Sequence, residues 1–402
     1  MKLIIFLLFF LNIWSLQFVF LPVRPEFMLA IPGFFCFMTR CKAEHIKVLL
    51  LLFIPLFYSL LIGFCFGTYQ FGLAQMFAGE ICRFFGFLFL VEAVNRYSKL
   101  TGEDLILLVC KYYICAIMLN IGIGVYFAFF NQDLLTFINS EFVCHSDEVL
   151  KNKVLYLDRF KLLGTKNFTP AAALAYAASL LILHFVLCGY WKIKLKIMLS
   201  FILLFVTSFF LGRSVLVFYT CALPFFLRRE AFRVVIPLVI FMVIGMFAIV
   251  FFLPENILRF AFEPIYALLE EGELRSDSTD DLFFMWSVKA DSLSGWLLGE
   301  GYWLNGDGSY YKKTDAGYLR SILYWGILGT IICFGSVLAI LRIIFKTVPP
   351  RMRRLVILFT FVWLVYNLKV FCLPIGIYGG LLVLIFFASS GCFQRCAVKN
   401  SE

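Results

Sequence analysis

Asp315, Gly317, Tyr318 and Arg320 stand close together at the point where a polar loop runs into an apolar helix. A carboxylate there is suited to take a proton from an attacking hydroxyl. An arginine grips phosphate through a planar fork and keeps its charge while doing so. The stretch around them, Gly299 to Gly329 (GEGYWLNGDGSYYKKTDAGYLRSILYWGILG), opens with glycines, aromatics and polar side chains, which suit a sharp bend facing a hydroxyl-rich ligand. It closes as an apolar helix, and charged groups at such a junction have a task in a chain that is mostly hydrocarbon.

The elements that must position this stretch follow from composition. Of 402 residues, 62% are hydrophobic, and the mean hydropathy is +0.94. Both lie far outside the globular range. The chain is therefore expected to be an all-α integral membrane protein, a single polytopic domain over 1–402 of about 12 spans of about 20 residues each. The apolar runs place them near 3–21, 25–39, 48–66, 72–93, 104–129, 170–190, 196–211, 214–227, 233–253, 317–344, 355–371 and 375–389. Leu3 to Leu21 is too long for a signal-peptide core and lacks a cleavage site, so it reads as a retained first span. The second span, with Pro25 and Pro32, is short, and the segments flanking Gly212-Arg213 also read as one tight hairpin.

Charge sets the orientation. Basic clusters recur in alternate connections: Arg40, Lys42 and Lys47; Arg96 and Lys99; Lys192, Lys194 and Lys196; Arg228, Arg229 and Arg233; Lys346, Arg351, Arg353 and Arg354; Arg395 and Lys399. The positive-inside rule puts these connections and both termini in the cytoplasm. Such scattered clusters form no basic face for nucleic acid. Two long outer loops remain, Asn131 to Thr169 and Pro254 to Thr314, and the second has helical spacing of apolar residues over Pro254–Leu274 and Leu282–Leu298.

Other readings are bland. The 13 cysteines fall mostly in apolar runs and serve as small hydrophobes; Cys392 and Cys396 lack the further ligands a metal needs, so neither metal nor cofactor is expected. Glu80 and Arg83, three apart, suit a mutually satisfying pair inside a span. Lys111 and Lys369 suit snorkelling near span ends, and His184 suits a core position. No inverted repeat of the transporter kind is visible.

The order of motifs resembles a known family. A glycine-arginine at the outer end of a mid-chain span (FFLGRSVLVFY, Gly212-Arg213), a large late outer loop, then Gly299-x-Gly301, Asp315 and Gly317-Tyr318-x-Arg320 running into Trp325-Gly-Ile-Leu-Gly329, looks like the O-antigen polymerases of Gram-negative bacteria. The segment DRFKLLGTKNFTPAAALAYAASLLI, with Arg159 and Gly164 ahead of a small-residue helix, is similar to that family as well.

The resemblance implies a glycosyl transfer at the periplasmic face of the bacterial inner membrane. There, undecaprenyl-diphosphate-linked oligosaccharides are joined, the carrier diphosphate is the leaving group, and no nucleotide-binding fold is needed. The lipid bilayer and a chain-length regulator membrane protein are the implied partners, and nucleic acid is not one. In this reading Arg213, Arg320, Arg159, Arg275 and Tyr318 bind diphosphate or substrate. The base is drawn from Asp315, Asp280, Asp281 and Glu300.

Each assignment has a structural alternative. Arg213 suits an interfacial anchor, and Asp315 suits an N-cap or an ion pair with Arg320. The run STDD suits a solvated turn. Trp296, Tyr302, Trp303, Tyr310 and Tyr311 suit a sugar platform or a membrane interface. Two other functions compete: the O-antigen ligase, which the resemblance associates with a histidine in the late loop, and a lipid-linked oligosaccharide flippase. The histidines are His45, His145 and His184, none between Pro254 and Thr314.

Overall fold

The computed structural model describes residues 1–16, 24–130, 162–163, 169–192, 194–212, 215–226, 262–270, 283–373 and 380–390, with single positions between them. Long runs of Leu, Ile, Phe and Ala, which lose little by closing their backbone hydrogen bonds locally, build an all-helical bundle. Its elements are α1 (Lys2–Trp14), α2 (Pro25–Arg40), α3 (Ala43–Cys65), α4 (Gly72–Ser98), α5 (Gly102–Phe130), α6 (Thr169–Leu187), α7 (Leu195–Leu211), α8 (Val215–Phe226), α9 (Glu263–Glu270), α10 (Leu293–Leu298), α11 (Gly317–Thr347), α12 (Arg353–Tyr366) and α13 (Leu381–Ser389). Among the described residues, Ala43–Cys65, Gly102–Phe127, Pro170–Leu187 and Gly317–Thr347 are long and apolar enough to cross a membrane. The chain is thus a helical membrane protein. The expected span near 233–253, the start of the one near 375–389 and most of the first long loop lie largely outside the described residues, as does 273–282 of the second loop.

Local sequence explains several helix ends. Pro25 sits at the first turn of α2, where its missing N–H is not needed. Ser292 caps α10 by accepting the Gly295 N–H at 3.0 Å. The Val348-Pro349-Pro350 run closes α11. Gly212 stands extended between α7 and α8, so the flanking segments are two separate helices.

Glycines let the helices meet backbone to backbone. A Cβ on Gly33 would stand 2.0 Å from the Phe85 carbonyl oxygen, which holds α2 against α4. Gly329 gives the same room to the Tyr58 ring, between α11 and α3. The core is aromatic, with Phe9, Trp14, Phe84, Phe87, Tyr113, Tyr176 and Trp363 fully buried. Several buried hydroxyls are satisfied on backbone carbonyls, as where Tyr113 donates to Tyr378 O at 2.7 Å.

Charge sorts the two ends of the bundle. At one end, the buried carboxylate of Glu92 is held by Arg40 (2.6 Å) and Arg96 (2.5 Å), Lys42 donates to the Ser390 carbonyl, and Arg351 lies over Tyr190, whose hydroxyl bonds Glu103. The opposite end carries the turns 66–71 and 367–373 and the loop 299–316. Between them, Glu80 and Arg83 of α4 pair at 2.7 Å; His184 is buried in the last turn of α6, at the Arg351 end.

Two helices depart from their expected form. The 282–298 segment is not one helix: residues 283–287 are helical, the chain turns, and α10 begins after its Ser292 cap. The span expected over 317–344 is broken at Gly326, which has φ +73° and ψ 173°. A short helical half therefore runs from Gly317 to Trp325, and a long one follows.

Candidate functional site

The break at Gly326 is made by a backbone crossing. A Cβ on Gly326 would stand 2.3 Å from Leu297 O, and one on Gly299 would stand 2.3 Å from Tyr324 O. The Glu300 N–H donates to Leu323 O at 2.7 Å, satisfying a carbonyl that the broken helix frees. Gly299 of the G-x-G and Gly326 of the W-G-I-L-G thus serve one another across the fold. Gly317 has the same kind of role: its Cβ would meet Phe371 N at 2.6 Å and Asn367 O at 2.7 Å.

On this frame the loop 301–313 is drawn across the mouth of the short half-helix. Its first arm is tied to the α3–α4 turn. The Gln70 side-chain oxygen accepts the Trp303 and Leu304 N–H groups at 2.6 and 2.9 Å, its amide donates to Leu304 O at 2.9 Å, and Thr68 donates to Gly301 O at 2.8 Å. The second arm is held by charge. Lys312 reaches Asp291 at 2.7 Å and Glu300 at 3.1 Å. Both Lys312 and Lys313 take left-handed φ, 52° and 56°, a conformation unfavourable for side chains with a Cβ.

The two arms close on Arg320. Its guanidinium carbon lies 3.6 Å from the Trp303 ring centroid and 3.9 Å from that of Tyr310, and the residue is only 5% exposed. Asp315 Oδ1 stands 3.5 Å from Nη1. That distance is a charge contact and exceeds hydrogen-bond length. Arg320 Nε and Nη2 and Asp315 Oδ1 find no hydrogen-bond partner among the described residues. Buried donors in that state carry a cost of about 1–3 kcal/mol, more when charged, and an anion with oxygens to offer would remove it.

No protein-family model, curated protein or solved structure matches this chain. The chemistry of the site therefore rests on its geometry.

Asp315 is neither inside the helix nor its cap. The N-cap is Ala316, with no side-chain capping bond. The carboxyl is about a third exposed, and burial of the rest pushes its pKa up to about 6 against the pull of Arg320 and Lys369. A carboxylate poised there can accept a proton near neutral pH.

Tyr318 does not join Asp315 and Arg320. Two residues before Arg320 on a helix, it faces away: its hydroxyl donates to Leu364 O at 2.8 Å, and its ring tilts onto Phe334. Glu300 is occupied in the second arm, accepting the Asp291 N–H at 2.6 Å beside Lys312. The Tyr311 phenol bonded to Glu300 has its pKa pushed up by burial and by that carboxylate. Arg159, Arg213, Arg275, Asp280 and Asp281 lie outside the described residues. Trp303 is mostly buried over Arg320, and Tyr302 stacks on Tyr311 with centroids 5.2 Å apart.

The anchoring roles of Gln70, Thr68 and Lys312 have no signal in sequence that reading by motif would find. The one hint for Gln70 is an amide in the short turn between two apolar spans.

Proposed function

We propose that this chain is a polyprenyl-diphosphate-sugar-dependent glycosyltransferase that polymerises undecaprenyl-diphosphate-linked oligosaccharide repeats into O-antigen. It acts at the periplasmic face of a bacterial inner membrane, with both termini in the cytoplasm. The observation that carries this reading is the buried Arg320 fork, with two nitrogens lacking an acceptor among the described residues, beside a carboxylate whose pKa sits near 6.

In the proposed reaction, Arg320 binds the carrier diphosphate through Nε and Nη2, in the two-point manner open to arginine and not to lysine. Asp315 takes the proton from the acceptor sugar's hydroxyl as its oxygen attacks the anomeric carbon. The new C–O bond forms as the bond to diphosphate breaks, and diphosphate leaves on its lipid with the negative charge held by Arg320. The Tyr310 arm must swing aside for the ligand to enter, since that ring now covers one guanidinium face. The Trp303 arm, tied to Gln70, stays.

A strain lacking the protein tests the reading. Loss of chain growth with export and ligation intact should leave lipid A-core capped by a single repeat unit. Core with no repeat unit and long glycan on the carrier would make the protein the ligase; single units retained on the cytoplasmic leaflet would make it the flippase.

A further inference from the structure

We infer that the groove between α11 and α12 is a binding site for an anionic diacyl phospholipid from the leaflet at the basic end of the bundle. One acyl chain lies in the groove, and the phosphate sits on Arg342 and Arg353.

The groove has a volume of ≈ 400 Å³ and is walled by Leu338, Leu341, Phe345, Ile357 and Phe361, with Arg342 at its rim. That volume is within the roughly 300–1,000 Å³ of small-ligand sites. Leu338, Ile357 and Phe361 are left 41–46% exposed on its walls, and the Phe361 ring is backed by Phe225 of α8 at 6.0 Å. The polar wall residue, Thr360, spends its hydroxyl on Val356 O of its own helix at 2.7 Å. The groove therefore offers an apolar guest an apolar floor and walls and asks nothing of it in hydrogen bonds.

The rim decides which lipid. Arg342 is exposed and has no acceptor among the described residues, and Lys346 is exposed one turn further on. Arg353 reaches over from the first turn of α12 to lie 5.4 Å from the Phe345 ring centroid, and its buried Nε has no acceptor among the described residues. Two cations thus flank the wall residue Phe345 at the groove's end.

Among the described residues neither Arg342 nor Arg353 makes an ion pair. From Ala316 to Ser401 the chain holds no Asp or Glu, and Glu103, at the same end of the bundle, is taken up by Tyr190. Basic pockets between helices at the cytoplasmic surface are suited to anionic headgroups. A free phosphate would meet the arginines but leave the groove empty; a zwitterionic lipid would fill the groove but bring its own cation to the arginines.

Native mass spectrometry of the detergent-purified full chain tests the site, with dioleoyl phosphatidylglycerol and dioleoyl phosphatidylcholine supplied at equal concentration. Wild type should retain phosphatidylglycerol at least tenfold better. Arg342→Gln with Arg353→Gln should remove that preference. Ile357→Trp, which fills the groove and keeps both charges, should remove retention of the lipid; elution volume and helicity matching wild type show that each variant folds. Equal retention of the two lipids by wild type, unchanged preference in the double arginine variant, or unchanged retention in Ile357→Trp would overturn the proposal. So would full displacement of the lipid by an equal concentration of glycerol phosphate, which would mark a site for free anions alone.

Discussion

The Arg320 guanidinium lies over the Trp303 indole, 3.6 Å from carbon to ring centroid, while Tyr310 covers its other side. A cation held between two aromatic faces keeps its charge buried without an equal number of carboxylates around it. The edge carrying Nε and Nη2 is buried with them, without a hydrogen-bond partner among the described residues.

Arg320→Lys keeps the charge and loses both the fork and the flat stack. Polymerisation should fall by about 100-fold or more, equivalent to about 2.7 kcal/mol of transition-state stabilisation, while membrane insertion stays normal. Glycan ladders at matched protein level are the measurement; an unchanged ladder would reduce Arg320 to a structural ion pair.

Asp315 predicts an acid limb. With its folded pKa near 6, it serves as base only above that value, so the rate should fall as pH drops through about 6. Asp315→Asn should abolish the activity. The stability effect has a definite sign: a carboxyl raised above its unfolded value of 3.8 binds its proton more tightly when folded. Stability is then lost as pH rises from about 4 to 6. Asp315→Asn should remove that slope in thermal unfolding profiles recorded across the same window.

The glycine crossing separates two residues of one helix. Gly326→Ala puts a Cβ 2.3 Å from Leu297 O at a positive φ, so it should cost several kcal/mol and sharply reduce the folded yield. Gly335→Ala, with nothing within 4 Å of its Cβ, should be neutral or stabilising by up to about 1 kcal/mol. Thermal shift in detergent reads both.

Orientation is tested by reporter fusions. Those after Ser98, Lys194 and Arg351 should read as cytoplasmic and one after Gly295 as periplasmic, because the basic turns gather at the end opposite the loop 299–316. A cytoplasmic signal at Gly295 would put Asp315 and Arg320 on the wrong side of the membrane for the proposed chemistry.

Sequence alone determined the class of the molecule, the approximate position of most described helices, and the junction that holds Asp315 and Arg320. These depend on local properties: an apolar run long enough to span hydrocarbon forms a helix because its backbone has no other partner there, and charge placement needs only counting. Tertiary structure decided the rest. Gln70 meets Trp303 and Leu304 across more than 230 positions, and Ser59 meets Trp325 across 266. No periodicity encodes such pairs. The break at Gly326 arises because another strand of backbone presses on it, and Tyr318 is turned from Arg320 by helical pitch and a carbonyl on α12. Whether a charged side chain is buried, paired or left with open donors is settled by what packs over it, and that is a property of the whole bundle.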